Sequence, residues 1–595
     1  MNLTRLLRMS PAEIATRTQQ AFNRRWGRPP VWRLIASPAT PAFPDLPPLN
    51  SLDDAEKICA HRFDLLGYRD LDFGTPIGWH FDPVHGKRSP RKPWYQISFL
   101  DFERIGDHKI IWELNRHQQF VTLAQAWQSS KDARFRAEIV TQWTHWQREN
   151  PYPIGVNWAS TLEVAFRALS WLWVRSIIGD FDDGLFPALH LHGWYIERFL
   201  STYFSPNTHL LGEGVALFSI GLLCPQFAEA PRWQARGWEI ILKQAETQVR
   251  PDGFHFEQSV YYHVYALDFF QFARTLAARN GLDIPLSFDR TIEKMSAALA
   301  VLSQAGRAPN FGDDDGGRVI GSPARPLVPS PPRSVDLPSA GIYAMTDSNS
   351  QLFIDAGPHG GLTAGHGHAD ALSIKLITNG RPVLLDPGTF CYVCPERDRF
   401  RGTAAHNTLQ VDGRDQATPH GPFSWTGMPE TIVDRWHTAE TFDFFAGHHD
   451  GYQPLIHHRY VFGLKNRFWL VRDLVTETGP SGSGHRLDIH WHFLDERDIS
   501  ILPPAGHNWS QTMERWDWSP KYGLKEAAFA LRFSTETALP AEFAVLLVQG
   551  TAGTFTQTAP ATYQYKEPQG SHEFLFGDRF VYRATGPSGV TEFAL

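Results

Sequence analysis

Four short clusters carry side chains able to do chemistry, and they fall in both halves of the 595-residue chain. The first is Asn207-Thr208-His209, at the start of an apolar stretch with helical spacing. Neutral donors at a helix N-terminus suit a carboxylate; the plainer reading is an N-cap Asn beside a packed His. The second runs DGFHFEQSVYYH from Asp252 to His263, just after Arg250, and is unusually polar for a helix start. Tyr262 and His263 are adjacent and therefore project at different angles. The third, Gly365-His366-Gly367-His368-Ala369-Asp370, sets two imidazoles at i and i+2 among glycines. On a strand they would share a face, and in a turn they would diverge; with carboxylates nearby they suit a metal site or an acid–base pair. The fourth runs from Arg397 to Thr408 and holds Arg399, Arg401 and His406. A guanidinium grips a carboxylate or sulfate through two parallel hydrogen bonds, unless Asp398 or Glu396 takes it first.

These clusters need elements to position them. From about residue 80 to about residue 320 the pattern is helical. In NWASTLEVAFRALSWLWVRSII, Trp158, Leu162, Ala165, Phe166, Leu169 and Trp173 recur at spacings of three and four. Similar stretches at 210–223, 259–278 and 291–304 are separated by short loops such as RPDG. A helical bundle and an α/α toroid both fit this pattern. A Pro- and Ser-rich linker is expected at 322–341. Beyond it the period falls to two, with an Asn379-Gly380 hairpin signal and a second hairpin in YVFGLKNRFWLVRDLV. In RLDIHWHF, Leu487, Ile489, Trp491 and Phe493 alternate with Asp488, His490 and His492, which predicts one buried and one wet face. The expected organisation is an extension (1–80), a helical domain (81–321), the linker (322–341) and an antiparallel β-sandwich (342–595).

Composition narrows the partners. The net charge is -7 and no long basic run appears, which argues against nucleic acid. An anionic ligand would have to be drawn by local Arg and Lys. Aromatic residues make up 13% and include 21 Trp; such rings stack on sugars but also fill cores, and Trp158 is one candidate sugar contact. Four Cys do not make a disulfide framework, and Cys391 and Cys394 are read as reduced structural thiols. No stretch reads as a signal peptide or a transmembrane span, so the expected compartment is cytoplasmic, with export not excluded. The oligomeric state is not legible.

Taken together, NTHLLGE, DGFHFEQSVYYH, GHGHAD, LLDPGTF and RGTAAHNT resemble, in order and spacing, the heparinase II/III family of polysaccharide lyases. The resemblance spans roughly residues 95 to 415, with WELNR at 112–116 and the segment from Asn157 to Arg167 as lesser supports. It implies an α/α toroid followed by an antiparallel β-sandwich, with a cleft between them for a uronate polymer. In that family a Tyr removes the C5 proton, a His assists as acid or base, and an Asn or His neutralises the carboxylate. The matching residues are Tyr262, His366, and Asn207 or His209. Many relatives read Asn-Asn-His, so here Thr208 replaces the Asn directly before the His. Members with a structural zinc would place its ligands at His368, Asp386 and His406, and no organic cofactor is implied.

The chemistry agrees with that set. Removing the C5 proton builds charge on the carboxylate, which donors placed there stabilise. A Tyr, of reference pKa about 10, serves as base only beside positive charge or donors that favour phenolate. His263, His366 and Arg250 are the candidates. Two other classes compete. A glycoside hydrolase needs two flanking carboxylates, for which Asp313-Asp314-Asp315 offer themselves, although a solvated or loop-capping run is expected there. The other is a non-catalytic glycan-binding protein of exopolysaccharide assembly.

Overall fold

A computed structural model describes residues 9–31, 34–35, 41–321, 332–479, 484–495, 499–550, 553–587 and 589–595. Helices fill the first half: α1 (Pro11–Trp26), α2 (Asp53–Cys59), α3 (Phe102–Ile105), α4 (His108–Asn115), α5 (Gln118–Ser130), α6 (Ala133–Glu149), α7 (Thr161–Ile178), α8 (Leu185–Phe199), α9 (Thr208–Leu223), α10 (Ala230–Gln248), α11 (Val260–Arg279) and α12 (Leu286–Leu302). From α5 onward they form the toroid, whose core of Leu, Phe and Trp also takes in Phe63, Phe73, Ile77 and Trp79. Close helix contact rests on glycine: a Cβ on Gly237 would lie 2.3 Å from the Phe218 backbone, so α9 and α10 approach backbone to backbone. Among the described residues no helix is long and apolar enough to cross a membrane.

Helix α1 packs the other way round from a core helix. Its polar side chains hold it to the toroid, Arg17 donating to the Tyr203 carbonyl (2.9 Å) and Gln20 to that of Leu200 (2.9 Å). Phe22 and Trp26 face solvent.

Residues 322–331 of the stretch read as a linker lie outside the described residues, and its end contributes the strand Val335–Leu337. The second half is antiparallel throughout its main sheets. A nine-stranded sheet runs from Ser510–Lys521 through Leu524–Thr537, His485–Phe493, Arg381–Leu384, Ile374–Thr378, Ser350–Asp355 and Ile342–Thr346 to Val335–Leu337, with Leu409–Val411 also on His485–Phe493. Asn379 (φ 50°) and Gly380 (φ 75°) turn the expected hairpin, both in the left-handed region that a type I′ turn requires. A six-stranded sheet packs on the first across a core of Ile354, Val461, Val471, Ile489, Trp491 and Val545. A third, five-stranded sheet from Thr554 to Ala594 then covers part of the outer face of the second through Phe462, Phe574 and Tyr582.

One expectation fails here. Asp488, His490 and His492 are as buried as their apolar neighbours, so this strand has no wet face. It lies inside the widest sheet, and Trp516 of the adjoining hairpin closes over His492 with ring centroids 5.2 Å apart.

Candidate active site

The catalytic candidates meet between the two halves. Ser259 caps α11 by accepting from the Tyr262 amide (3.1 Å), which sets Tyr262 in the first turn, facing the β-region. Against it lies His366, with ring centroids 3.8 Å apart and planes 21° from parallel. The glycine between His366 and His368 is a packing requirement, because a Cβ on Gly367 would lie 2.0 Å from the His359 carbonyl oxygen. The Tyr262 hydroxyl lies 2.9 Å from that of Tyr392 and 3.2 Å from Asp315 Oδ2. Burial first, and then the Asp315 charge, push the Tyr262 phenol well above its ordinary value. The resting hydroxyl therefore keeps its proton.

Asp313 holds the arrangement together. It stands in the segment after α12, fully buried, and accepts from Arg397 Nη1 (2.5 Å) and Nη2 (2.7 Å) and from Thr389 (3.1 Å). The same carboxylate meets His366 Nδ1 (3.1 Å) and His368 Nε2 (3.1 Å). Burial alone would raise its pKa, but Arg397 and the two imidazoles hold it well below the carboxylate range. Asp315 has a separate set: Lys109 Nζ at 3.2 Å, and behind that the pair in which Arg116 forks onto Glu163 (2.8 Å twice). Burial opposes ionisation there too, and Lys109 and Arg116 keep Asp315 ionised. Asp313 and Asp315 are therefore buried and ion-paired instead of solvated, whereas the half-buried Asp314, together with Asp315, caps the loop as expected by accepting from Gly316 and Gly317 (2.9 Å each).

The carboxylate-holding candidates sit at the N-terminus of α9. Asn207 is its N-cap, with Oδ1 accepting from the His209 amide (3.1 Å) and Nδ2 donating to Glu257 Oε1 (2.6 Å). Glu257 also faces His366 Nε2 at 3.6 Å. Thr208 is fully buried, whereas Asn207 and His209 are half-buried. Burial, and then His366, push the His209 imidazole down to about 4, so it is a neutral group.

The remaining candidates divide. His263 is 0% exposed and donates to the Met295 carbonyl (3.0 Å), stacked on Phe254, so it belongs to the core. One helical residue beyond Tyr262 is a rotation of about 100°, and that turns it inward. Trp158 is 1% exposed, packs on Tyr152 and Tyr195 and donates to the Asn150 carbonyl (3.2 Å); it is core and not a sugar platform. Arg250 donates to Gln258 Oε1 (3.1 Å), one residue from Glu257. The three arginines of the fourth cluster have intramolecular partners: Arg397 on Asp313, Arg401 on Asp398 (2.6 Å) and Arg399 on Asp517 (2.8 Å). Cys391 and Cys394 are joined in a disulfide, not reduced, their Cα atoms 5.9 Å apart on either side of Tyr392.

His368, Asp386 and His406 do come together, each offering one ligand atom within 4.8 Å of the others. His368 Nε2 points to Asp313 and His406 Nδ1 to the Gly402 carbonyl (2.8 Å), which places both ring protons outward. The two remaining nitrogens then face each other at 3.2 Å, lone pair to lone pair. Asp386 Oδ2, 3.9 Å from His406 Nε2, accepts no hydrogen bond, although Lys375 Nζ stands 3.3 Å away. Two lone pairs and a carboxylate oxygen converging on one point, each backed by an outer partner, is a donor set that fits a zinc-type cation.

Sequence reasoning did not single out Glu257, Tyr392 or Lys109, and it offered Asp313 and Asp315 only as carboxylates of a rival hydrolase. Glu257 stood inside a quoted motif and Asp313 inside a noticed acidic run, whereas nothing local marked Tyr392 or Lys109.

Comparison with known proteins bears on the same assembly. The model of the heparinase II/III N-terminus matches residues 50–318, and that of the heparinase II/III-like C-terminal region matches 329–556. The chain is 25% identical over 489 residues to a heparin-sulfate lyase of Pedobacter heparinus, covering 74% of this chain and 68% of that protein. A heparin-sulfate lyase of Bacteroides stercoris is 22% identical over 470 residues, covering 68% and 65%. The chain thus spans about two thirds of the length of these curated relatives. A crystal structure of heparinase III superposes with a TM-score of 0.69 at 16% identity, over 98% of this chain and 95% of that one. Heparan sulfate lyase HepC of Pedobacter heparinus gives 0.56 at 21%, over 98% and 94%. With both halves matched in order, and with the motif residues gathered in the cleft between them, this chain belongs to the heparinase II/III-like family and is a polysaccharide lyase.

Proposed function

We propose that the chain cleaves a uronate-bearing glycosaminoglycan by β-elimination, with Tyr262 and His366 as the reacting pair. The observation that carries this reading is the stacking of these two rings, one from each half of the chain. In the elimination the base takes the C5 proton, the released electron pair forms the C4–C5 double bond, and the C4–O4 bond breaks. The leaving oxygen then takes a proton. Tyr262 accepts the C5 proton as phenolate and returns one to O4. The His366 imidazole lies between the carboxylates of Asp313 and Glu257 and against the phenol ring, where it assists the proton transfers at Tyr262. Asn207 and His209 meet the substrate carboxylate, where neutral donors stabilise the charge that develops on proton removal.

The curated relatives are heparin-sulfate lyases, which favours a glycosaminoglycan as the polymer. A hydrolase is disfavoured, because Asp313 and Asp315 are both engaged by buried cations and neither is free to activate water. For the cofactor we propose zinc, held by His368, Asp386 and His406. It would fix the GHGH turn and so the seat of His366, and it takes no part in proton transfer. The direct test is incubation with heparan sulfate, hyaluronan and chondroitin sulfate, following the ultraviolet absorbance of unsaturated uronate ends. New reducing ends without that absorbance would mean hydrolysis, and neither signal on any uronate polymer would refute the reading.

A further inference from the structure

The outer face of the six-stranded sheet is only partly covered by the five-stranded one. Side chains alternate along each strand, so His448 follows Phe444 and Ala446 on that face, and His458 precedes Tyr460 and Phe462. Past the apolar core the face ends in a polar row of Asp434, His448, His458 and Thr476, one from each of four neighbouring strands: Thr431–Thr438, Phe442–Tyr452, Leu455–Leu464 and Phe468–Glu477. His448 and His458 are direct partners in the register. The register slips between Val433 and Arg435, and the bulged residue, Asp434, presents its carboxylate to His448, with Oδ2 2.9 Å from Nδ1. At the other end His458 Nε2 meets Thr476 Oγ1 at 3.2 Å.

The same two strands carry a second histidine pair on their buried face, and the contrast is informative. There His449 Nε2 meets His457 Nδ1 at 3.0 Å, with Gln416 on one side (3.2 Å) and Asp473 on the other (2.7 Å), a closed hydrogen-bonded chain. The outer pair makes ring contact instead, with centroids 5.2 Å apart and planes 36° from parallel. One ligand atom each from Asp434, His448 and His458 lies within 4.8 Å of the other two. His448 and His458 are half-buried and Asp434 is exposed, so the opening faces water.

We propose that Asp434, His448 and His458 form a second divalent-metal site, separate from the buried set and suited to zinc, nickel or copper(II). Two imidazoles and one carboxylate are a common ligand set for these ions, with water completing the shell. Thr476 holds the His458 ring from outside the set, as the second partner of a ligating histidine does. The ion would tie the bulged edge strand to its two inner neighbours, at the side of the sheet where an unpaired edge is otherwise exposed.

The test uses the full chain, stripped with a chelator and dialysed against zinc or nickel, with bound metal counted by elemental analysis. The double variant His448→Ala/His458→Ala is expected to bind one equivalent fewer than wild type. His368→Ala is expected to keep that equivalent, and Asp434→Asn to weaken it by roughly 10-fold or more. Lyase activity and the melting temperature of the stripped protein should be unchanged in the double variant, which separates lost ligands from lost folding. Copper(II) bound to wild type should show nitrogen coupling from two imidazoles in its electron paramagnetic resonance spectrum, and the double variant should not. Equal metal counts in wild type and the double variant, or copper coupling that persists in it, would overturn the assignment.

Discussion

The imidazole of His366 lies against the phenol ring of Tyr262, with centroids 3.8 Å apart, joining the first turn of one helix in the toroid to a glycine-bounded turn of the β-region. Neither ring is held only by this contact, since Ser259 seats one and Asp313 the other. Tyr262→Phe is expected to lower kcat by about 10²–10⁴ with the melting transition retained, the usual span for a general base. Tyr261→Phe should keep most of the activity, because that hydroxyl is used on the Gly317 carbonyl. Initial rates of unsaturated product decide it, and the opposite order would move the role to Tyr261.

The pH profile follows from Asp315. Tyr262 must lose its proton to act as a base, so kcat/KM should rise with pH. Burial, and then the Asp315 charge, hold the phenol up. Asp315→Asn removes the negative neighbour and leaves Lys109 beside the cleft, so the rise should move to lower pH. A profile that stays in place, or moves to higher pH, would mean that Tyr262 does not feel this carboxylate as it titrates.

Glu257 decides which way the Asn207 amide faces. With Oδ1 accepting from the His209 amide and Nδ2 donating to Glu257, the second N–H of Asn207 is left for a substrate carboxylate. Glu257→Gln is expected to raise KM for the anionic polymer by about 10-fold, the worth of one hydrogen bond to a charged group, with kcat moved less. Glu257→Gln and Asn207→Ala should be non-additive in a double-mutant cycle. Full additivity would show that the two act separately.

For the buried metal set, protein purified without added metal should carry zinc that is lost on His406→Ala. Activity should fall less on His368→Ala than on His366→Ala, because the first removes support and the second a reacting group. Zinc below about a tenth of an equivalent, with an unchanged melting temperature after chelation, would identify a metal-free hydrogen-bonded network.

The arginines should separate by burial. Arg397→Ala leaves Asp313 charged and unpaired in the interior and is expected to cost about 3–5 kcal/mol. Arg399, whose side chain is 40% exposed in its pair with Asp517, should cost less than about 1 kcal/mol. Chemical denaturation curves give both values, and equal costs would contradict the picture of one buried bolt and one surface pair.

Much of this was legible in the chain. The 3.6-residue period from Trp158 to Trp173 announced α7, Asn379-Gly380 announced its hairpin, and the motif clusters named the residues that meet in the cleft. Direction within a cluster was harder to read. Tyr262 and His263 are neighbours, yet one faces the cleft and the other Met295, because a helix turns by a fixed angle and the sequence does not say where it starts. His490 and His492 looked solvated because alternation predicts a half-buried strand, and only a covering neighbour such as Trp516 changes that. The acids at 313–315 read as solvated or loop-capping; Asp314 and Asp315 do cap the loop, but the ion pairs of Asp313 and Asp315 were not legible, because Arg397 and Lys109 lie far away in sequence and nothing local announces them.

Asp313 belongs to the first half of the molecule by chain and to the second by contact: Arg397, His366, His368 and Thr389 all reach it from the β-region. A cleft closed in this way cannot widen by swinging its walls apart at that point without first separating a guanidinium from a carboxylate where no water can replace either.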